Sequence, residues 1–339
     1  MNARRPVRSL GLALWGTEPI ERLVAHARLA EEIGFESIWV IDSQLLCREV
    51  YVTLTAIALA TSRIGIGTGV TQPRTRLPSV TASAMASLNE LSGGRAMLGI
   101  GTGFSSLRTL GMEPAKLSEL EAYLTVTRTL LRGEAARLEG GAHGGIGWLS
   151  APTGVPAYIA ASGPRMTRAA GRIADGAILL QGVSPELLAR GRGLVDEGAR
   201  EAGRDPAEVD VSVWSGIGLA DDPKTARDQV RGRVAGAVMN VDTSAFSGPE
   251  QDFITALRGT YDYTKHASPS ASHAAHTPDS LVGRYAIAGT ATEVRAQLTS
   301  VLDQPGIGRV ILTPQVPGPG SFPVDVLLRG LARDVLPRL

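Results

Sequence analysis

Short runs rich in valine, isoleucine and leucine recur along the chain, and longer stretches with an amphipathic pattern separate them. This alternation predicts β-strands joined by helices, the organisation of a mostly parallel sheet. The runs predicted to form strands are residues 7–15, 37–42, 63–70, 95–103, 156–162, 175–181, 210–220 and 308–314.

The segments between these runs carry helix signals. After the first run, Ile20, Leu23 and Ala27 share one helical face, and Gly34 follows where a C-terminal cap is expected. Residues 78–94 have proline in the first turn and glycine past the end, which is typical of a helix. Eight strands with helical crossovers predict a closed (β/α)8 barrel, the TIM-barrel fold, in preference to an open doubly wound sheet.

Two segments interrupt this regular pattern. Residues 242–282 are rich in serine, alanine and histidine and lack a strand signal, so they are predicted to form a helical insertion before the last strand. Residues 138–155 are rich in glycine and form a second insertion, on the loop that enters the fifth strand. Residues 1–339 are thus predicted to form a single barrel domain.

The composition indicates a small-molecule partner. The chain has 339 residues, with 34 Lys and Arg against 33 Asp and Glu, and no basic run is interleaved with aromatic residues. These features exclude the electrostatic signature of a nucleic-acid-binding protein. The apolar run near the N-terminus ends before Gly16 and is too short for a signal peptide or a membrane span. We therefore expect a cytoplasmic protein that does not bind a membrane.

Cysteine and histidine give no metal signal. Cys47 is the only cysteine, which excludes an internal disulfide and a cysteine-cluster metal site, and no Cys-His arrangement marks it as a nucleophile. His266, His273 and His276 lie in the predicted insertion without a carboxylate between them or a zinc pattern. We expect no bound metal.

The pentapeptide GIGTG occurs at residues 65–69 and again at 99–103. The repeats begin 34 residues apart, about one strand-helix unit, so both are expected at the C-terminal rim of the barrel, where active sites lie. Neither is followed by a lysine or by a prompt helix start, which argues against a phosphate loop. Two interpretations remain: the missing Cβ atoms let a flat ring lie against the backbone, or they give packing room inside the barrel.

A better anion site follows the fifth strand. Ser162 and Gly163 precede Pro164, which suits the first turn of a helix. The backbone N–H groups of that turn, the Ser162 hydroxyl and the Arg165 side chain are predicted to form a phosphate site. A helix start without a ligand is the alternative.

Residues 49–103, 158–179 and 285–298 together resemble the bacterial-luciferase-like superfamily. Within it the chain is most similar to the branch of coenzyme F420-dependent methylenetetrahydromethanopterin reductases, from about residue 7 to 315. The resemblance implies a (β/α)8 barrel that holds a flavin or deazaflavin at its C-terminal rim, usually as a homodimer.

The resemblance also assigns cofactor contacts. It implies a cis peptide between Gly69 and Val70, in a bulge that backs the cofactor ring, and an Asp42 carboxylate at the polar edge of the ring or its side chain. Relatives often have Asp-His where this chain has Asp42-Ser43, which removes a possible proton donor. The implied cofactor-binding residues are Asp42, Thr68, Gly69, Val70, Gly101, Thr102, Gly103, Ala161, Ser162, Gly163, Pro164 and Arg165.

The expected function is coenzyme F420-dependent transfer of a hydride to or from an electrophilic C=N, C=C or C–OH carbon. Two alternatives stay open: an FMN-dependent monooxygenase supplied with reduced flavin by a separate reductase, and a barrel that binds a cofactor without catalysis.

Several rim residues are candidates for catalysis and substrate binding. Glu18, just after the first strand, is the candidate general acid or base beside Asp42, although the dipole of the following helix explains an acidic residue equally well. Trp15 and Trp214 are predicted to wall the pocket, or else to pack in the core. Arg74, together with its neighbour Arg76, is predicted to meet an acidic substrate or coenzyme tail, or else to be solvated.

Overall fold

The structure, a computed structural model, describes residues 9–239, 241, 243, 246, 248–266, 271–318 and 320–339, apart from the side chains of residues 264, 272 and 273. The strands are β1 (Ser9–Leu14), β2 (Ser37–Val40), β3 (Gly65–Thr68), β4 (Ala96–Ile100), β5 (Ala136–Arg137), β6 (His143–Gly144), β7 (Ala157–Ala161), β8 (Gly176–Leu179), β9 (Asp210–Leu219), β10 (Ala286–Gly289) and β11 (Arg309–Thr313). The helices are α1 (Ile20–Glu32), α2 (Val50–Ala60), α3 (Pro78–Ser92), α4 (Phe104–Thr109), α5 (Leu117–Leu131), α6 (Pro164–Ile173), α7 (Pro185–Glu201), α8 (Pro223–Asp228), α9 (Arg231–Val238), α10 (Pro249–Thr260), α11 (Ser272–Ala275), α12 (Asp279–Tyr285), α13 (Ala291–Leu302) and α14 (Val324–Gly330).

The predicted TIM barrel is confirmed. Parallel strands follow one another in the order β11, β1, β2, β3, β4, β7 and β8, and β9 closes the ring by pairing with both β8 and β11. Each of the eight runs predicted to be a strand contains one of these barrel strands. Helices predicted after the first and third strands are α1 and α3, and α3 begins at Pro78 and ends at the left-handed Gly93 (φ 68°).

A ninth strand in the main sheet, β10, was not predicted. It pairs with Gly216–Leu219, the outer end of β9, which at ten residues extends beyond the ring. Its sequence AIAG is short and lacks a run of β-branched residues, so its local signal is weak. The glycine-rich insertion at 138–155 contains one strand of the small antiparallel hairpin β5–β6.

Helices lie in the predicted insertion, but the helical segment is longer than residues 242–282 and precedes β10 instead of the last strand, β11. It occupies residues 220–285, between β9 and β10, and we call this range the insertion segment. With neighbouring Ala286 it has an apolar cluster of its own, formed by Val230, Val234, Ala235, Val238, Met239, Phe246, Ile254, Leu257, Tyr261, Leu281, Val282, Tyr285 and Ala286.

Two apolar layers hold the barrel itself. The outer layer lies between strands and helices and includes Leu23, Leu54 and Val195. The inner layer fills the barrel and consists of Ala13, Trp39, Met97, Tyr158, Ala160, Ile178, Trp214 and Ile311. Within the described ranges, no helix combines the length and the apolar content that crossing a membrane requires.

Candidate active site

Most of the predicted site residues lie at the C-terminal ends of the barrel strands, which we call the barrel mouth. Asp42 follows β2, Thr68 ends β3, Gly101 follows β4 and Ser162 follows β7. The C-terminal ends of parallel barrel strands lie on one rim, so the fold brings these residues to the same side of the molecule.

A bulge interrupts the pairing of β3 with β4 at the mouth. Gly67 pairs with Met97 and Thr71 with Ile100, so four steps along β3 match three along β4. The peptide bond between Gly69 and Val70, inside this bulge, is cis, and it is the bond that the resemblance indicated.

The repeated glycines leave room for the protein's own side chains. A Cβ atom on Gly67 would lie 2.8 Å from the Trp39 ring, and one on Gly69 would lie 2.8 Å from the Trp214 ring. A Cβ atom on Gly99 would overlap the Thr68 carbonyl oxygen. These contacts favour the packing interpretation of the repeats.

The expectation that no helix promptly follows Gly103 is wrong. Helix α4 begins at Phe104, and Gly103 is its N-cap residue in the left-handed conformation (φ 77°). A Cβ atom on Gly103 would also lie 2.7 Å from the buried Gln72 side chain. The sequence lacks the Ser, Thr, Asp or Asn that usually marks a helix start, which explains the error.

Asp42 forms a buried ion pair with Arg76. The Arg76 Nη1 atom donates to Asp42 Oδ2 at 2.6 Å and Nη2 donates to Oδ1 at 3.4 Å, and Nη2 also donates to Glu49 at 2.6 Å. The Asp42 side chain is 3% exposed and that of Arg76 is 15% exposed. Burial opposes the charge, but the hydrogen bonds to Asp42 and Glu49 outweigh it and raise the pKa of Arg76 above its ordinary value. Arg76 therefore fixes the carboxylate that was predicted to bind the cofactor.

Arg74 is engaged elsewhere. Its Nη2 atom donates to both carboxylate oxygens of Glu119 at 2.8 Å, and its Nη1 donates to the Glu113 carbonyl oxygen at 2.7 Å. These contacts tie Arg74 to helix α5 and the segment before it, so its predicted contact with an acidic group would need these bonds to be exchanged.

Helix α6 begins as the sequence indicates. Gly163 is the N-cap residue and Pro164 the first helical residue, and no side chain caps the N-terminus. The Thr167 hydroxyl donates to the Gly163 carbonyl oxygen at 2.9 Å and accepts from Gln181 at 2.5 Å, which fixes the first turn. Ser162 and Gly163 are half-buried, whereas Arg165 is exposed.

Glu18 faces helix α1. Its Oε2 atom lies 3.0 Å from Nε2 of the buried His26, and its Oε1 atom lies 3.7 Å from Arg22. Arg22 in turn lies 3.7 Å from Asp325 of α14. This network favours a structural role for Glu18, and its role as a general acid stays a prediction.

The two predicted pocket tryptophans are both buried. The Trp15 indole N–H donates to the Pro314 carbonyl oxygen at 3.1 Å, which joins the ends of β1 and β11. Trp214 does not lie at the rim as expected, because β9 continues for five residues beyond it, and its ring lies within the barrel.

The insertion segment packs over the mouth at two places. The His266 ring lies 6.5 Å from the Trp15 ring, and the Tyr263 ring lies 5.7 Å from that of Phe104 at the start of α4. Tyr261 links the two contacts, since its hydroxyl lies 2.6 Å from His266 Nδ1 and its ring 5.1 Å from that of Tyr263. Because β1 and β4 are three strands apart in the ring, the segment reaches across the mouth.

No metal cluster forms in the part of the chain that the structure describes. His266 is hydrogen-bonded to the Tyr261 hydroxyl, and the side chain of His273 lies outside the described residues. Cys47 is unpaired, and burial raises the pKa of its thiol to about 11.

Four buried polar atoms near the mouth have no hydrogen-bond partner among the described residues. They are Thr17 Oγ1 after β1, Gln44 Oε1 after β2, Trp214 Nε1 in β9 and Thr313 Oγ1 at the end of β11. Buried polar atoms are normally satisfied, so this grouping fits a site that binds a polar ligand. Of the four residues, sequence reasoning named only Trp214; the others carry no local signal beyond their places near strand ends.

Comparison with known families and relatives gives concordant matches. A family model described as luciferase-like monooxygenase matches residues 6–308. A 5,10-methylenetetrahydromethanopterin reductase from Methanolobus tindarius is 31% identical over 306 residues, which cover 87% of this chain and 91% of that protein. An F420-dependent glucose-6-phosphate dehydrogenase from Microbacterium testaceum is 34% identical over 220 residues, covering 60% and 66%.

Solved structures share the fold. The coenzyme F420-dependent tetrahydromethanopterin reductase from Methanopyrus kandleri superposes with a TM-score of 0.80 at 24% identity, covering 98% of this chain and 99% of that one. An F420-dependent secondary alcohol dehydrogenase in complex with an F420-acetone adduct gives a TM-score of 0.77 at 20% identity, covering 97% and 98%. The oxygenating constituent of 3,6-diketocamphane monooxygenase from Pseudomonas putida, in complex with FMN, gives 0.67 at 18% identity, covering 98% and 99%.

Proposed function

We propose, from the premise that this chain belongs to the luciferase-like monooxygenase family, that it is a coenzyme F420-dependent oxidoreductase. Its reaction is the transfer of a hydride between the deazaflavin and an electrophilic C=N, C=C or C–OH carbon of a small organic substrate. The observation that carries the proposal is the reductase match across 87% of this chain, supported by an F420-dependent dehydrogenase among the relatives.

The start of α6 fits the phosphate of such a coenzyme. It offers the free backbone N–H groups of a ten-residue helix without a side-chain cap, beside the Ser162 hydroxyl and the exposed Arg165. Helix N-termini bind anions because their N–H groups and the helix dipole both favour negative charge. Ala161, Gly163 and Pro164 provide the backbone of this site.

The residues around the β3 bulge fit the ring system. Thr68, Gly69 and Val70 lie on one side of the β3–β4 junction, and Gly101, Thr102 and Gly103 lie on the other. Asp42, fixed by Arg76, supplies a buried acceptor for donors at the polar edge of the ring. The unpartnered Gln44 and Thr17 atoms fit the need for further polar contacts there.

A bound deazaflavin supplies a carbon centre that exchanges hydride and, when reduced, resists one-electron chemistry with oxygen. The chain's own residues bind and orient the reactants and exclude water. The insertion segment, packed against Trp15 and Phe104, covers part of the mouth and limits access of water to the site. Asp42 is the carboxylate that the fold places at the rim, and we assign to it the binding of the ring edge.

The binding test compares two cofactors. Purified protein is titrated with F420 and, separately, with FMN, and absorbance is followed. We expect F420 to bind and to be reduced or oxidised in the presence of an acceptor or donor. Binding of FMN with no binding of F420 would overturn the proposal, and tight F420 binding without turnover of any substrate would support a barrel that only binds the cofactor.

A charge variant tests the phosphate site. Ser162→Asp places a negative charge at the start of α6 and should weaken F420 binding strongly. Ser300→Asp, on the outer helix α13, is the matched control and should leave the affinity unchanged. Equal affinity of both variants and the original protein would remove the phosphate assignment.

The second candidate function is an FMN-dependent monooxygenase that receives reduced flavin from a separate reductase. The family description and the FMN-bound monooxygenase among the structural neighbours favour it. Consumption of oxygen with reduced FMN, and none with reduced F420, is the outcome that would select it. A cytoplasmic location is proposed for either function.

We infer that two copies of the chain associate through α2 and α3. Helix α2 has no charged residue, yet its Val52 and Leu59 are 58% and 71% exposed, and Leu91 of α3 is 46% exposed. A groove of about 660 Å³ lies on this outer face, lined by Tyr51, Val52, Thr55, Ala84, Ser87, Leu88, Glu90, Leu91 and Trp148. A contiguous exposed apolar surface marks an interaction site, and a second copy is the occupant that the family resemblance implies.

A further inference from the structure

Arg233 of α9 is half-buried, and its guanidinium group is unpaired among the described residues. No hydrogen bond or ion pair joins it to any residue that the structure describes. Burial lowers the pKa of Arg233 below its ordinary value, an effect that neighbouring Tyr261 opposes only in part. A cation that is partly shielded from water and has no counter-ion favours the binding of an anion beside it.

Nearby arginines of the insertion segment are paired. Arg231, two residues earlier, donates to Asp279 at 2.5 Å and to Asp228 at 2.7 Å. Arg284 lies 3.2 Å from Glu250. The absence of a partner is therefore specific to Arg233 and does not reflect a general shortage of carboxylates.

The stem of Arg233 lies over the inner face of β9. Its Cγ atom is 3.3 Å from the position that a Cβ atom on Gly216 would take. Alternate residues of a strand share one face, so Gly216 faces the same way as Trp214, whose ring lies inside the barrel. Arg233 thus reaches the interior side of the barrel mouth.

Two unpartnered donors lie on the same face of β9 and β11. Thr313 is paired directly opposite Gly216 in the parallel ladder, and its Oγ1 atom is buried without a partner. The Trp214 indole N–H, two residues before Gly216, is buried without a partner as well. A guanidinium, a hydroxyl and an indole N–H are all hydrogen-bond donors, and together they match the oxygen atoms of a carboxylate or a phosphate.

We propose that Arg233, Thr313 and Trp214 form an anion subsite at the barrel mouth that holds the carboxylate or phosphate group of the substrate. This inference rests on the proposed function in taking the occupant to be the substrate of an F420-dependent enzyme. The substrate class is accordingly an organic acid or phosphate ester whose reacting carbon lies near the β3 bulge. Arg233 is a specificity-determining residue and takes no part in the hydride transfer.

The test uses the full-length protein saturated with F420, so that the α6 phosphate site is filled. Inorganic phosphate and acetate are titrated as probes by calorimetry. We expect both the original protein and Arg231→Gln to bind a probe, and Arg233→Gln to bind it at least about tenfold more weakly, the loss expected for a charged hydrogen bond. Arg233→Lys should restore part of the affinity, because it keeps the charge but not the planar donor set.

Two results would overturn the subsite. One is equal probe affinity for Arg233→Gln and the original protein; the other is a loss of F420 affinity in Arg233→Gln, which would assign the cation to the coenzyme. Failure of the proposed function is seen separately, as an absence of F420 binding to the original protein. In that event the probe titration is repeated in the Ser162→Asp background, which blocks the α6 site, so the subsite is still tested.

Discussion

The Thr68 hydroxyl on β3 bonds to both backbone groups of Gly99 on β4, donating to the carbonyl oxygen at 2.7 Å and accepting from the N–H at 3.0 Å. The Thr68 side chain thereby replaces the backbone hydrogen bonds between β3 and β4 that the bulge removes. The Thr71 backbone N–H also donates to the Gly99 carbonyl oxygen at 2.9 Å, so loss of the Thr68 hydroxyl leaves only the buried Gly99 N–H without a partner.

Thr68→Val keeps the shape of the side chain and removes the hydroxyl. Leaving one buried donor unsatisfied should lower the free energy of unfolding by about 1–3 kcal/mol, measured by urea denaturation. Thr68→Ser keeps the hydroxyl and should be destabilised less. Equal losses in the two variants would contradict this role for the hydroxyl.

Arg76→Met removes the cation that faces the buried Asp42 carboxylate. A buried carboxylate left without its partner costs about 3–5 kcal/mol, and we expect about 3 kcal/mol because part of Arg76 is exposed. Denaturant unfolding measures the loss. Adding Asp42→Asn to Arg76→Met should recover part of the lost free energy of unfolding, because the unpaired charge disappears. If the double variant instead lost as much stability as the two single variants together, the two residues would not be coupled.

Gly67→Ala tests whether the repeated glycines serve packing. The added Cβ atom would lie 2.8 Å from the fully buried Trp39 ring, and overpacking of this kind costs about 1–3 kcal/mol. Gly259→Ala, in open space on α10, should stabilise the protein by up to about 1 kcal/mol through helix propensity. Thermal or urea unfolding measures the stability of both variants. If Gly67→Ala left the stability unchanged, the space at Gly67 would instead be open to a ligand.

Cys47 should react slowly with thiol reagents. Its thiol pKa is raised from 9.0 to about 11, chiefly by burial, so at pH 8 the reactive thiolate is about a hundredfold scarcer than for an unperturbed cysteine. The rate of modification by a disulfide reagent should rise as the pH approaches 11, and unfolding in urea should remove the protection. Reaction of the folded protein as fast as in urea would contradict the prediction.

Val52→Glu places a charge in the α2–α3 groove and should convert the inferred dimer into a monomer. Val326→Glu, on α14 and 47% exposed, is the matched control and should not change the mass in solution. Analytical ultracentrifugation distinguishes the two. A monomeric original protein would refute the inferred interface directly.

The ring of the barrel could be predicted from local pattern because each barrel strand carries its own apolar run and each crossover its own helix signal. β10 could not, since AIAG becomes a strand only by pairing with the projecting end of β9. The sequence could not decide whether the GIGTG glycines make room for a ligand ring or for packing, because the side chain that fills the space beside Gly67 is Trp39, on another strand.

The candidate site also has parts that local sequence predicts and parts that it does not. The start of α6 is encoded in consecutive residues and was predicted in place. The Asp42–Arg76 pair joins two loops, and the neighbourhood of Arg233, Gly216 and Thr313 depends on how the insertion segment folds back over β9. No spacing in the sequence encodes such distances, so these contacts required the structure.

The insertion segment contacts the rings of Trp15 and Phe104 at the mouth. It also lies against Gly216 of β9 through Arg233, and the Val183 N–H donates to its Arg284 carbonyl oxygen at 2.8 Å. A chimera that exchanges residues 220–285 with those of a relative therefore needs to match these contact points and the end of β9, while the hydrogen bonds between the barrel strands stay unchanged. Substrate range in this barrel is consequently open to modular engineering, by grafting one contiguous piece of chain.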